Sequence, residues 1–112
     1  MKKLLLLLIC LIPIKALAQQ SLVGDYKGNL GPLHVILHIT STDNKLSGTI
    51  DGIESKVIGI NCSNFRYENS VLSFSVLALR ATWRGITVPD NLLAGTWHQG
   101  SDSQPLNFRR IK

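Results

Sequence analysis

Cysteine is nearly absent from this chain: its 112 residues hold two, Cys10 and Cys62, so its core is built without a disulfide framework. Charged side chains make up 17% and aromatic ones 6%. The one basic cluster, Arg109-Arg110-Lys112, lies at the C-terminal end and reads as a solvated tail, which argues against a nucleic-acid surface. No window beyond the first residues carries a helical stripe, which argues against α and α/β folds. No G-x-S-x-G nucleophile elbow occurs, and no other catalytic or cofactor motif stands out.

What is present begins with an export signal. Lys2 and Lys3 form a basic head, Leu4 to Ile14 an apolar run, and Ala16-Leu17-Ala18 places small residues where signal peptidase reads. Cleavage after Ala18 is expected to leave residues 19–112 as one small domain, secreted or periplasmic. The run is too short to cross about 30 Å of hydrocarbon, and no later stretch reaches the roughly 20 apolar residues a spanning helix needs. Loss of Lys2, Lys3 and Lys15 lowers the formal charge from +5 to +2, so neither nucleic acid nor, after cleavage, a membrane is an expected partner. Cys10 leaves with the leader. Cys62, then alone in an oxidising compartment, is expected to be buried as a small hydrophobe.

A short phrase occurs twice, as Leu46-Ser47-Gly48-Thr49-Ile50-Asp51-Gly52 and as Leu93-Ala94-Gly95-Thr96-Trp97-His98-Gln99-Gly100, with a looser echo at Ala81-Thr82-Trp83-Arg84-Gly85. Each copy spaces large apolar residues two apart around a glycine. Each also follows a turn signal, Asp43-Asn44 or Pro89-Asp90-Asn91, as the return strand of a hairpin does. Turn residues recur roughly every eight to twelve positions, with period-two alternation between them. Strands are expected from Asp25 to Leu30, Leu33 to Thr42, Lys45 to Asp51, Lys56 to Cys62, around Leu72 to Val76, Arg80 to Val88, Leu92 to His98 and Pro105 to Ile111. The alternation slips between Cys62 and Phe65, so a bulge or corner is expected at Ser63-Asn64. The predicted fold is all-β: an antiparallel meander of about eight short strands, forming a small barrel or a two-sheet sandwich.

Candidate site residues are few. Trp83 and Trp97 share a strand parity and are able to line a ligand cavity, although aromatics at strand spacing usually pack, with Gly48, Gly85 and Gly95 making room for them. His34 and His38 share a strand face, but four residues of strand span about 13 Å, too far for both rings to reach one ion at about 2.1 Å. His98 is the remaining histidine that could join one of them across a sheet, and Trp83, Trp97, His38 and His98 are the four candidate ligand-binding residues. No metal and no cofactor are expected. Arg80 and Arg84 share the outer face of the Trp83 strand, where a solvated surface is the default. Asn61-Cys62-Ser63 fits a glycosylation sequon but falls on a strand.

Taken in order, Gly24-Asp25-Tyr26-Lys27-Gly28, Leu37-His38-Ile39, Lys45 to Asp51, Gly59-Ile60, Leu72-Ser73-Phe74, Ala81 to Gly85 and Leu93 to Gly100 resemble the β-rich N-terminal accessory domain of exported bacterial α/β-hydrolases and other serine hydrolases. The resemblance covers nearly the whole mature chain and implies a stand-alone accessory module. Two departures stand out: the connection between Leu30 and Leu33 is shorter, and the chain stops where the hydrolase domain would begin, so that activity does not carry over. The expected function is a non-catalytic accessory or ligand-binding β-domain, its ligand a small apolar molecule or a sugar. The alternative is an interaction or inhibitory module that docks onto a separate secreted hydrolase.

Overall fold

A computed structural model describes residues 20–112; the expected leader and its expected cleavage point lie outside the described residues. Nine strands follow one another: β1 Gly24–Leu30, β2 Leu33–Thr42, β3 Lys45–Gly52, β4 Val57–Glu68, β5 Val71–Val76, β6 Ala81–Val88, β7 Leu92–Gln99, β8 Asp102–Pro105 and β9 Phe108–Arg110. A single 3-10 turn, Leu77–Leu79, joins β5 to β6.

Alternation sets the strands and turn chemistry sets the register. In β5 every second residue is buried, and in β6 Ala81, Trp83 and Gly85 are buried while Thr82, Arg84 and Ile86 are exposed. Three hairpins at one end turn on residue pairs that both take positive φ: Asp43 and Asn44, Asn69 and Ser70, Asp90 and Asn91. Tight hairpins need this backbone, and Asn and Asp tolerate it best after glycine. The expected slip after Cys62 is a β-bulge. Ser63 pairs with Ser75 and Arg66 with Ser73, so β4 has one residue more than β5, and Asn64 takes φ 55°. The bulge returns Phe65 and Tyr67 to the side on which Cys62 is buried.

Each neighbouring pair is antiparallel, and the sheet closes. β6 pairs with β5 on one edge and with β7 on the other, while β9 joins β7 to β1. The result is an eight-strand barrel of β1 to β7 and β9. β8 is an extra strand on the same edge of β7 as β9. The single last strand expected from Pro105 to Ile111 is therefore two segments. Leu106 and Asn107 interrupt the ladder between them, with Leu106 buried in the core, its N–H donating to the Gly95 carbonyl (2.9 Å), and Gly95 N–H donating to the Asn107 side chain (3.1 Å).

Sixteen buried apolar residues fill the barrel, among them Cys62. Burial pushes the Cys62 thiol up to about 12, which leaves it inert. An aromatic ladder crosses the interior: Phe65 stacks on Phe74 (centroids 5.0 Å apart), Phe74 on Trp83 (5.4 Å), and Trp83 meets Phe108 edge-on (5.5 Å). Gly85 and Gly95 are cross-strand partners beneath the Trp83 indole, as the spacing suggested. Gly48 serves a different ring: a Cβ there would lie 2.9 Å from Phe65 Cζ. The bulge is what swings Phe65 over that glycine, which simple strand parity does not anticipate.

The two ends differ. At one end Leu22, 4% exposed, plugs the barrel and its carbonyl accepts the Tyr26 hydroxyl (2.8 Å). The opposite end, reached by the β1–β2, β3–β4, β5–β6 and β7–β8 connections, is open.

Candidate functional site

A cleft of about 350 Å³ enters the open end, within the range of roughly 300–1,000 Å³ typical of ligand sites. Trp97 forms its inner wall, and Leu30, Leu33, Val35, Ile50, Val57, Ile60 and Leu79 complete the apolar part. Polar groups occur at the lip: His34, Glu54, Ser55 and Gln99. The Trp97 indole is held in place because its N–H donates to Gln99 Oε1 (3.0 Å), whose amide N–H donates in turn to the Leu79 carbonyl (3.0 Å). One side-chain amide thus fixes both the indole and the 3-10 turn facing it.

The β3–β4 turn overhangs this cleft and is tied to β2. Ile53 N–H donates to the His34 carbonyl (3.0 Å), and Glu54 accepts from the His34 backbone N–H (2.7 Å) and meets its ring Nδ1 (2.6 Å). The His34 ring and backbone contacts hold the Glu54 carboxyl down to about 2, so it is an anion across ordinary pH.

The four candidate residues do not converge. Trp83, 0% exposed, lies in the dry core with its N–H donating to the Leu106 carbonyl (2.8 Å). Trp97, its cross-strand partner, is 2% exposed and borders the cleft. His98 stands on the outer face, where its Nδ1 meets Ser103 Oγ at 2.7 Å. Among the described residues no carboxylate holds its other nitrogen, so this pair lacks the third member of a triad. His38 is also on the outer face, in β2, with β1 and β9 between it and the His98 strand.

His38 forms an unanticipated three-strand clamp. Its Nδ1 faces Asp25 of β1 and its Nε2 faces Asp51 of β3, both at 2.7 Å. Both nitrogens donate only when the ring is an imidazolium, and the hydrogen bond to Asp25, then that to Asp51, raise its pKa against a small burial effect. Partial burial alone would raise the Asp51 carboxyl. The Gly59 N–H, which donates to it at 2.7 Å, and His38 outweigh that and hold it below its usual range. The carboxylates lie on opposite sides of the ring, so no ion could sit among them; among the described residues no group of three or more ligating side chains is placed to hold a metal.

A pH profile follows. The raised His38 pKa gives stability that is complete below its ordinary value of 6.5 and lost as pH climbs through the higher folded value. The lowered Asp51 pKa gives stability present above 3.8 and lost as pH falls through the lower folded value. Urea midpoints are expected to be flat from about pH 4.5 to 6.5 and to decline on both sides, by no more than about 1 kcal/mol because the clamp is partly solvent-screened. His38→Gln should abolish the alkaline decline; a wild-type profile still flat at pH 9 would contradict the clamp.

Comparison with known protein families, with curated proteins and with solved structures gave no match.

Proposed function

We propose that this protein is an exported, non-catalytic binding barrel that takes a small apolar ligand end-on at its open mouth. The observation that carries the reading is the cleft walled by Trp97 and seven aliphatic side chains, Leu33 and Val57 included, at the end of the barrel without a plug. Catalysis is the less supported reading, because both nitrogens of His38 are occupied by carboxylates and, among the described residues, no orienting acid meets the Ser103–His98 pair. The accessory role implied by the resemblance to hydrolase N-terminal domains fits a ligand-holding module.

Saturable enhancement of Nile red fluorescence by the purified protein, competed by a colourless apolar compound, is the test. Val57 lines the cleft yet is partly exposed, so Val57→Asp should leave the fold intact and weaken binding at least about tenfold by placing a charge against the ligand. Unchanged affinity in that variant, or no saturable binding, would overturn the proposal.

A second reading has its own observation. Ile53, Ile58 and Leu77 are exposed beyond the cleft at the same end, which favours docking of that end onto another protein such as a secreted hydrolase.

A further inference from the structure

The plugged end of the barrel holds a second cavity, of about 270 Å³, with Arg110 in its wall. Arg110 ends β9 as the cross-strand partner of Tyr26, and its half-buried guanidinium lies over the Tyr26 ring at 5.1 Å. Its Nη2 latches the plug, donating to the Ser21 carbonyl and to the Tyr26 hydroxyl oxygen (2.6 Å). A guanidinium carries five N–H groups, and this latch uses only those of Nη2. Nη1 and Nε hydrogen-bond to no described residue, and Nε is fully buried. No ion pair within the described residues includes Arg110. Drawing a cation out of water without a counter-charge is costly, and a latch of two hydrogen bonds does not need the charge.

The rest of the cavity suits an anion with a short apolar body. Tyr67 and Thr87 line it with their hydroxyl oxygens 3.3 Å apart. One hydroxyl hydrogen joins the two, which leaves the other to donate. Leu22, Val88 and Leu92 add apolar wall. Asp90, on the β6–β7 turn, is the one carboxylate among the described lining residues and makes no ion pair with Arg110. It is exposed, so water screens its charge more than that of the half-buried guanidinium. One arginine balances one negative charge, and Asp90 opposes a dianion.

We infer that this cavity binds a small carboxylic acid as its anion, the carboxylate held by Arg110 and a hydroxyl of the Tyr67–Thr87 pair, the apolar part against Leu22, Val88 and Leu92. The site is separate from the cleft at the open end, and neither reading depends on the other.

The test titrates the purified protein with butanoate, butanamide and butylammonium in a chloride buffer free of other carboxylates, read by backbone amide shifts in NMR. Butanoate should give saturable shifts at Tyr67, Thr87 and Arg110, and the amide and the amine should bind at least about tenfold more weakly. Arg110→Gln, which is able to keep the latch, should lose at least about tenfold in butanoate affinity. Asp90 and Asn91 have positive φ, 71° and 60°, a backbone that both Asn and Asp tolerate, so exchanging acid and amide there preserves the fold. Asp90→Asn should bind butanoate about threefold more tightly and Asn91→Asp about threefold more weakly. Butanamide binding as well as butanoate, or butanoate affinity unchanged in a folded Arg110→Gln variant, would overturn the inference. Should Arg110→Gln fail to fold, the turn variants decide, and affinity unchanged in both would overturn it. The same group is offered by a free acid and by the C-terminus of a peptide, which acetyl-trialanine beside butanoate tells apart. Charge-dependent binding of either supports the inference; binding of neither overturns it.

Discussion

Gly95→Ala is expected to destabilise the barrel by about 2–3 kcal/mol, out of a total stability of roughly 5–15 kcal/mol for a domain of this kind. A Cβ at Gly95 would sit 2.6 Å from Trp83 Cε2 and 2.6 Å from the Arg84 carbonyl oxygen. At the facing Gly85 it would sit 2.5 Å from Trp83 Cη2. None of these atoms can withdraw cheaply. The indole is clamped between Phe74 and Phe108 with its N–H on the Leu106 carbonyl, and the carbonyl oxygen belongs to the β6 backbone. Overpacking of this kind outweighs the gain of about 0.4–1 kcal/mol that alanine brings by restricting the unfolded chain. The diagnostic is a double-mutant cycle by urea unfolding. Trp83→Phe vacates the space above the glycines, at the cost of leaving the Leu106 carbonyl without its donor. Gly95→Ala should thus cost at least about 1 kcal/mol less in that background. Additive effects would show that the indole is not what requires the glycine.

The same pair of glycines shows how far the sequence reaches. Their spacing from Trp83 along β6 and β7 is a local pattern, and period-two alternation carries the pairing of large ring with absent side chain directly. Likewise the parity slip at Ser63-Asn64 is visible as a pattern and appears as the bulge that turns Phe65 inward. Closure is not local: it depends on β9 finding β1 while β7 keeps β6 on its other edge, and period-two alternation is identical in a sandwich and a barrel. The candidate site was less legible still. Leu30, Val57 and Leu79 belong to three different strand ends or connections and meet only because the barrel brings alternate connections to one rim. One signal was there to be read: Ile53, Ile58 and Leu77 are large apolar residues beside turns, where polar residues are the rule. The clamp on His38 was hidden because Asp25 and Asp51 are its neighbours only through two strand registers, β1 with β2 and β2 with β3.

Leu22→Asn is expected to cost about 3–4 kcal/mol, whereas Ile58→Asn should stay within about 0.5 kcal/mol. Leu22 precedes the first strand and shows no alternation, yet it closes the end of the barrel opposite the cleft and is 4% exposed. Asparagine is close to leucine in shape, so the change removes little volume. It strips the apolar transfer energy, about 1.5–3 kcal/mol, and buries an amide among apolar neighbours, about 1–3 kcal/mol more. Most neighbouring polar groups are committed elsewhere: the Tyr26 hydroxyl donates to the Leu22 carbonyl, and the Arg110 guanidinium lies over the Tyr26 ring at 5.1 Å while donating to its oxygen at 2.6 Å and to the Ser21 carbonyl, which leaves only Arg110 Nε buried without a partner. Leu22→Met, which keeps volume and polarity, should cost less than about 1.5 kcal/mol. Ile58 is an apolar residue of similar size, but 82% exposed at the rim of the cleft, where an amide meets water. Urea midpoints for the three variants separate a plugged end from an open one. Similar losses for Leu22→Asn and Ile58→Asn would mean that the rim is packed in the folded protein, and the mouth could not then admit a ligand.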